Sequence, residues 1–293
     1  MKEPNIVILA GGISSRMRRS VQSSTQADYP LLQETQYKSK SMLSVGVNTR
    51  PFLDYLLYNI EKAGYRNVVI VVGEKDPTIK DYYELNGGKN QFKQISISYA
   101  TQIIPDGRTK PLGTADALLV ALRSKPDWKG QGFTVCNSDN LYSIRALILL
   151  MENDHGGSMI DYDRSALQFD RARIEAFSVI RKDLDRFLLD IVEKPSPQEI
   201  DEAKDYNGRI GVSMNIFRLS YDQIFPFLES VPLHPVRQEK ELPAAVKRMI
   251  QKYPHSVYTI PLAEHVIDLT SFADIKNVQE YLKNEFQEFN KPI

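Results

Sequence analysis

The segment Asn5-Ile-Val-Ile-Leu-Ala-Gly-Gly-Ile-Ser-Ser-Arg-Met17 constrains the fold of this 293-residue chain more than any other. Its run from Ile6 to Ala10 is short and continuously apolar, as a strand must be when a parallel sheet is covered on both faces. The run opens directly into a Gly/Ser turn. Gly11 and Gly12 let the backbone reverse and approach a ligand, Ser14 and Ser15 add donors, and Arg16 can present a forked pair of N–H groups to a phosphate. Two glycines after a strand also serve as a plain tight connection to a helix, so the turn needs support from the rest of the chain.

Strand and helix patterns alternate after it, which is the sequence mark of an α/β protein with a mostly parallel sheet. Strand 5–10 is followed by a helix opened by Pro51 and running to about Lys62, with Gly64 placed to end it. Strands are expected at 67–72, 95–100 and 133–137, with helices over 113–123 and 143–153. In the second half, 156–162, 173–181 and 186–192 read as strands whose short connections favour antiparallel pairing. Ser196-Pro-Gln-Glu199 predicts a capping box and a short helix to about Lys204. Strand 210–217, helices 219–229 and 239–252, strand 256–261 and a helix over 271–286 follow. The Ser-, Gln- and Thr-rich stretch 18–37 is expected to be a flexible insertion, a lid or a disordered loop.

Charge and composition narrow the function. Lys plus Arg equals Asp plus Glu at 37 each, and no aromatic-studded basic stripe is present, so no nucleic-acid partner is expected. The single Cys136 lies in the apolar run Phe133-Thr-Val-Cys136, where a buried structural thiol is the expectation. The first strand begins at once and no apolar run reaches spanning length, so no leader or membrane partner is expected and a cytoplasmic location follows. His155, His234, His255 and His265 share no ligand spacing.

Seven further pieces appear in a fixed order: Lys40-Ser-Met-Leu43, Pro51-Phe-Leu-Asp-Tyr-Leu-Leu57, the stretch Ala63 to Gly73, Pro111-Leu-Gly-Thr-Ala115, Asn137-Ser-Asp-Asn140, Val192-Glu-Lys-Pro195 and Val212-Ser-Met-Asn-Ile-Phe217. With the first turn, they resemble the sugar-phosphate nucleotidyltransferases, over about residues 5 to 285. The resemblance implies a three-layer α/β/α fold with a Rossmann-like, mixed but mostly parallel sheet of the nucleotide-diphospho-sugar transferase type. It implies a single domain over 1–293, with a nucleotide-binding half at 1–155 and a sugar-phosphate-binding half at 156–293. The implied reaction joins a nucleoside triphosphate to a sugar 1-phosphate and releases pyrophosphate. Both partners are then small molecules, Mg²⁺ is the cofactor, and a homo-oligomer is allowed.

Two polyanions must be brought together in line for such a transfer, so charge neutralisation and alignment are nearly the whole task. The resemblance places Leu9, Ala10, Gly11, Gly12, Ser14, Ser15 and Arg16 on the nucleotide, with Arg16 and Lys40 on the triphosphate. Lys38 lies close enough in sequence to leave the register of Lys40 open. Asp139 follows the apolar strand at its carboxyl end, where open α/β sheets bind ligands, and a carboxylate there suits Mg²⁺. Asn137 to Asn140 also reads as an ordinary turn and helix cap. Asp268 is the second metal carboxylate by resemblance, although Val266, Thr270 and Ser271 stand where an aromatic, a glycine and a threonine are usual; it is otherwise a loop residue.

Gln102, Pro111, Gly113 and Thr114 resemble the base-reading segment. A carboxamide offers a pyrimidine both donor and acceptor, and Gly113 would let a base approach the backbone; Gln102 reads equally as an exposed polar residue at a strand end. Asn140, Glu193, Lys194 and Asn215 fall on the sugar phosphate, with Glu193 accepting hydroxyls and Lys194 neutralising phosphate. The sugar half departs most: Glu175-Ala-Phe-Ser178 lacks a usual Tyr-Gly, and Asn215 replaces a glycine. Three alternatives stay open: a cytidylyltransferase acting on phosphocholine or a polyol phosphate, a glycosyltransferase of the related fold, and a catalytically silent regulatory relative. The first motif and the lack of an Asp-x-Asp pair argue against the glycosyltransferase.

Overall fold

Apolar alternation within single strands divides the core into two layers, one on each side of a mixed sheet. The computed structural model describes residues 3–12, 17, 29–85 and 88–291. In strand β1 (Asn5–Leu9), Ile6 and Ile8 pack on one face, while Val7 and Leu9 join the opposite cluster. The first face is covered by α2 (Phe52–Lys62) and α4 (Ile144–Glu152), through Phe52, Leu56, Ile60, Ala146 and Leu150. The second is covered by α3 (Thr114–Arg123), α7 (Tyr221–Ser230) and α8 (Leu242–Lys252), through residues such as Leu118, Leu122, Ile224 and Val246. Each fully buried aliphatic side chain is worth about 1.5–3 kcal/mol relative to exposure, so this two-sided burial is what makes β1 a central strand.

Among the described residues the strands order as β3-β2-β1-β4-β10-β6-β9-β7-β8, with β11 pairing β6. Strands β2 (Asn67–Gly73), β3 (Ser96–Gln102) and β4 (Gly132–Asn137) run parallel to β1, Val7 lying between Val69 and Val135. Beyond β4 the pairing turns antiparallel: β10 (Phe217–Ser220) runs against both β4 and β6 (Ser158–Asp163). The hairpin of β7 (Val179–Lys182) and β8 (Leu188–Val192) is also antiparallel. Parallel pairing returns between β6 and β11 (Tyr258–Leu262). The mixed, mostly α-covered sheet agrees with the architecture expected from the sequence.

Three local expectations are corrected and one further element appears. Residues 29–37 are not a loop: they form α1 (Tyr29–Tyr37), while Ser14, Ser15, Arg16 and 18–28 lie outside the described residues. Helix α1 is anchored by Glu34, which accepts from Lys38 Nζ at 2.6 Å and from the Ser44 N–H at 2.8 Å. The strand expected over 173–181 begins as α5 (Arg171–Ala176), because the Asp170 side chain caps it by accepting from the Arg173 N–H at 2.9 Å. Strand 210–217 is broken into β9 (Gly211–Val212) and β10, with Asn215 at φ 54° between them. Asparagine is the side chain that best tolerates this left-handed position after glycine, which accounts for it where a glycine is usual. Finally, β5 (Asn140–Leu141) and β12 (Ile267–Asp268) form a two-stranded ribbon that no sequence pattern announced.

Two sequence expectations hold in detail. The capping box opens α6 (Pro197–Glu202), with Ser196 and Glu199 satisfying each other's backbone N–H groups. Cys136 is buried and unbridged, and burial raises its thiol pKa, so it is an inert packing residue. No helix among the described residues is long and apolar enough to cross a membrane.

One buried acid lies within the core on α2. Asp54, in the first turn of α2, accepts from Tyr82 at 2.9 Å, Tyr83 at 2.7 Å and Gln91 at 2.8 Å. Burial outweighs these donors and pushes its pKa up to about 6 from 3.8. The folded state therefore holds a proton that the unfolded chain releases. The stability this confers is complete below pH 3.8 and is lost as pH rises through about 6, amounting to roughly 2–3 kcal/mol. Urea denaturation across that window is expected to fall more steeply for the wild type than for Asp54→Asn; parallel profiles would refute it.

Candidate active site

The ends of β1, β2 and β3 open into a cleft of ≈ 270 Å³ whose wall includes Ala10, Gly11, Gly12, Ser39, Gln102 and Pro111. Gln102 is buried at its rim. Its Nε2 donates to the Gly113 carbonyl at 2.9 Å and to Asp116 Oδ2 at 2.8 Å. The carboxamide is therefore not available as both donor and acceptor, as the sequence suggested: its N–H groups face inward. Its Oε1 is turned to Gly11, 2.9 Å from where a Cβ on that residue would lie. Gly12 has open space on its side-chain face.

Gly113 and Thr114 also pack against the chain itself. A Cβ on Gly113, at φ 112°, would lie 2.6 Å from the Lys240 carbonyl, so the close approach is to the chain's own backbone. Thr114 Oγ1 accepts from the Leu242 N–H at 2.9 Å, capping α8. Lys110 Nζ donates to the Arg237 carbonyl at 2.9 Å and to Glu239 at 2.6 Å, completing a seam between this segment and the strap before α8. Gly113→Ala is expected to cost about 2–3 kcal/mol, since both the left-handed φ and the clash must be relieved by moving the strap. A shift in denaturation midpoint below about 0.5 kcal/mol would show the strap to be compliant.

Across the cleft, Lys40 begins a 3₁₀ turn, Lys40–Met42, that is pinned by the buried Met42 and Leu43. That anchoring turns the Lys40 ammonium onto Asp139 Oδ2, with which it forms an ion pair. Lys38 is engaged by Glu34, so the geometry separates the two lysines that sequence left ambiguous. Asp139 follows β4, and its carbonyl accepts from the Leu269 N–H at 2.8 Å. The β5–β12 ribbon sets Asp268 opposite Asn140. Asp268 and Asp139 are thereby brought together: burial first, and the Asp139 charge second, raise the Asp268 pKa.

Both oxygens of Asp268 have partners. Oδ2 accepts from Arg173 Nη2 at 2.7 Å, and Oδ1 accepts from the Thr270 hydroxyl at 2.6 Å. Arg173 bridges onward to Asp274 and lies 4.4 Å over the Phe169 ring. Sequence reading missed Arg173 because its segment alternates like a strand; the Asp170 cap three residues before it was the available signal. His265 sits beside Phe169, its pKa lowered by burial and by Arg173.

Glu193 follows β8 and accepts from Arg237, which also reaches Glu241 at 2.8 Å. Arg237 is the second residue that sequence reading missed, since no spacing links a loop arginine to a glutamate 44 positions earlier. Lys194 is exposed and has a left-handed backbone at φ 48°, a conformation costing about 1 kcal/mol or more in a non-glycine residue. Asn140 is buried in the ribbon, within reach of the Tyr142 hydroxyl at 3.4 Å. A larger hollow of ≈ 470 Å³ lies between the β7–β8 hairpin and the segment after α6; there Lys182 and Arg209 are engaged by buried Asp161.

The family model described as Nucleotidyl transferase matches residues 5–260. The chain belongs to this family. Among curated relatives, the chain is 28% identical over 280 residues to a Bifunctional protein GlmU of Methanococcus vannielii, covering 95% of this chain and 55% of that one. It is 25% identical over 138 residues to a D-glycero-alpha-D-manno-heptose 1-phosphate guanylyltransferase of Aneurinibacillus thermoaerophilus, covering 47% of each. The chain thus spans about half the length of the curated relatives it matches. Its fold superimposes with a TM-score of 0.68 on a UDP-glucose pyrophosphorylase complexed with UDP-glucose, at 17% identity, covering 97% of this chain and all of the other. A UTP-bound UGPase from Acinetobacter baumannii gives the same score and identity, at 99% and 98% coverage.

Proposed function

We propose that this nucleotidyl transferase joins a nucleoside triphosphate to a sugar 1-phosphate, releasing pyrophosphate. The observation that carries the reading is the convergence of Asp139 and Asp268, with Lys40 on Asp139, beside the Gly11-Gly12 cleft. The relatives named for UDP-glucose, UTP and heptose 1-phosphate support it.

Two carboxylates at close range are the donor set that Mg²⁺ takes together with phosphate oxygens and water, so Asp139 and Asp268 fit this ion. When bound, Mg²⁺ would neutralise charge on the triphosphate as the leaving pyrophosphate gathers it. The rest of the task belongs to the chain's own groups. Lys40 exchanges its pairing with Asp139 for the triphosphate; Arg16 adds a forked cation there. Glu193 and Lys194 hold the sugar hydroxyls and phosphate, so that an oxygen of the phosphate faces the α-phosphorus opposite the pyrophosphate.

The base is read by Gln102 as an acceptor. Its inward-held Nε2 leaves Oε1 to accept the ring N–H of uracil, thymine or guanine, a group that adenine and cytosine lack. The test is pyrophosphate release with Mg²⁺, scanning ATP, CTP, GTP, UTP and dTTP against sugar 1-phosphates and phosphocholine. Turnover with UTP, dTTP or GTP and one sugar 1-phosphate is the expected result. CTP with phosphocholine would favour the cytidylyltransferase alternative, and binding without turnover would favour a regulatory relative.

A further inference from the structure

Arg173 pairs with Oδ2 of Asp268, one of the two carboxylates proposed to hold a divalent cation. We propose that Arg173 is a positioning residue that competes with the cation for Asp268 and so sets the affinity of the Asp139–Asp268 pair. This inference rests on the proposed metal role of those two carboxylates.

The sign of the effect follows from what else holds Asp268. Its backbone is fixed by the ribbon with Asn140 and by the Leu269 N–H on the Asp139 carbonyl. Its Oδ1 is oriented by the Thr270 hydroxyl. Asp268 is therefore aimed without Arg173, and what the guanidinium adds is a positive charge at 2.7 Å from Oδ2. A cation arriving at that oxygen meets like charge, which weakens its binding. Arg173 also has somewhere to remain when it yields: Asp274 holds its Nη1 and Phe169 underlies the guanidinium. Asp274 is itself fixed, accepting from the Thr270 and Ser271 N–H groups at 3.0 and 2.7 Å, so the resting place persists. Helix α5, capped by Asp170, delivers Arg173 to the carboxylates.

The experiment titrates Mn²⁺ alone into wild type, Arg173→Gln and Asp268→Asn, following the free-ion EPR signal. Roughly tenfold tighter binding by Arg173→Gln is expected, from the loss of one adjacent like charge, with binding weakened in Asp268→Asn. If Asp268→Asn weakens binding but Arg173→Gln binds equally or less tightly, Arg173 only orients Asp268 and the proposal is overturned. If Asp268→Asn binds as the wild type does, the metal reading itself fails and takes the proposal with it. Should Arg173→Gln not fold, the wild type decides: Mg²⁺ is expected to shift the Arg173 Nε–H resonance, assigned by its loss in Arg173→Lys. An unmoved resonance overturns the proposal.

Discussion

Asp139→Asn is expected to lower pyrophosphate release by roughly 10³-fold or more while leaving the melting temperature nearly unchanged. The two halves of that expectation have separate causes. The carboxylate stands where β4 ends, facing Asp268, and in the proposed reaction it must anchor the ion that neutralises the departing pyrophosphate; an amide is a far poorer ligand for a hard dication. For stability, the substitution removes the Lys40 ion pair, a partly exposed contact worth about 1 kcal/mol or less, and at the same time relieves the repulsion from Asp268. The terms oppose, so the fold is little affected. Assaying the substrate pair found by the scan, alongside thermal denaturation, checks both. Activity within tenfold of wild type would remove Asp139 from the proposed mechanism. Activity lost together with a large drop in melting temperature would reassign it as structural.

The central strands were legible because their signal is local. Ile6 to Leu9 and Val68 to Val72 are short runs apolar on both faces, as a strand covered on both sides of a parallel sheet must be. The ordered motifs likewise singled out Lys40 and Asp139, which form an ion pair. What sequence could not supply were the partners that decide how each group acts. Gln102 loses its donors to Gly113 and to Asp116, 14 positions away, and Glu193 is held by a loop arginine 44 positions on. These are tertiary facts without periodicity. Gly113 shows the converse: the residue was singled out for a ligand's approach, and a Cβ there would meet the Lys240 backbone. Around Arg173 the failure was of secondary structure, where one Asp cap outweighed an alternating pattern.

Lys40→Met is expected to reduce kcat/KM for the nucleoside triphosphate by roughly 10²- to 10³-fold, with both a higher KM and a lower kcat. A cation that merely balanced Asp139 would give a different result, because its removal would free that carboxylate and leave turnover intact or improved. The anchoring of the turn argues for the larger effect. Met42 and Leu43 are buried to fix one exposed-edge lysine at the cleft, and the triphosphate brings more negative charge there than Asp139 alone. Charge is present on the triphosphate before reaction, hence the KM effect; more gathers on the leaving pyrophosphate, hence the kcat effect. Lys38→Met is the matched control. Its ammonium is bound to Glu34 within the α1 connection, so its loss should change kcat/KM by less than about threefold and cost at most about 1 kcal/mol. Lys40→Arg keeps the charge but changes its shape from a point to a fork, and partial recovery is expected. Steady-state kinetics of the three variants decide the matter: a loss at position 40 no larger than the roughly threefold expected at position 38 would mean that the Lys40 ammonium does not touch the nucleotide.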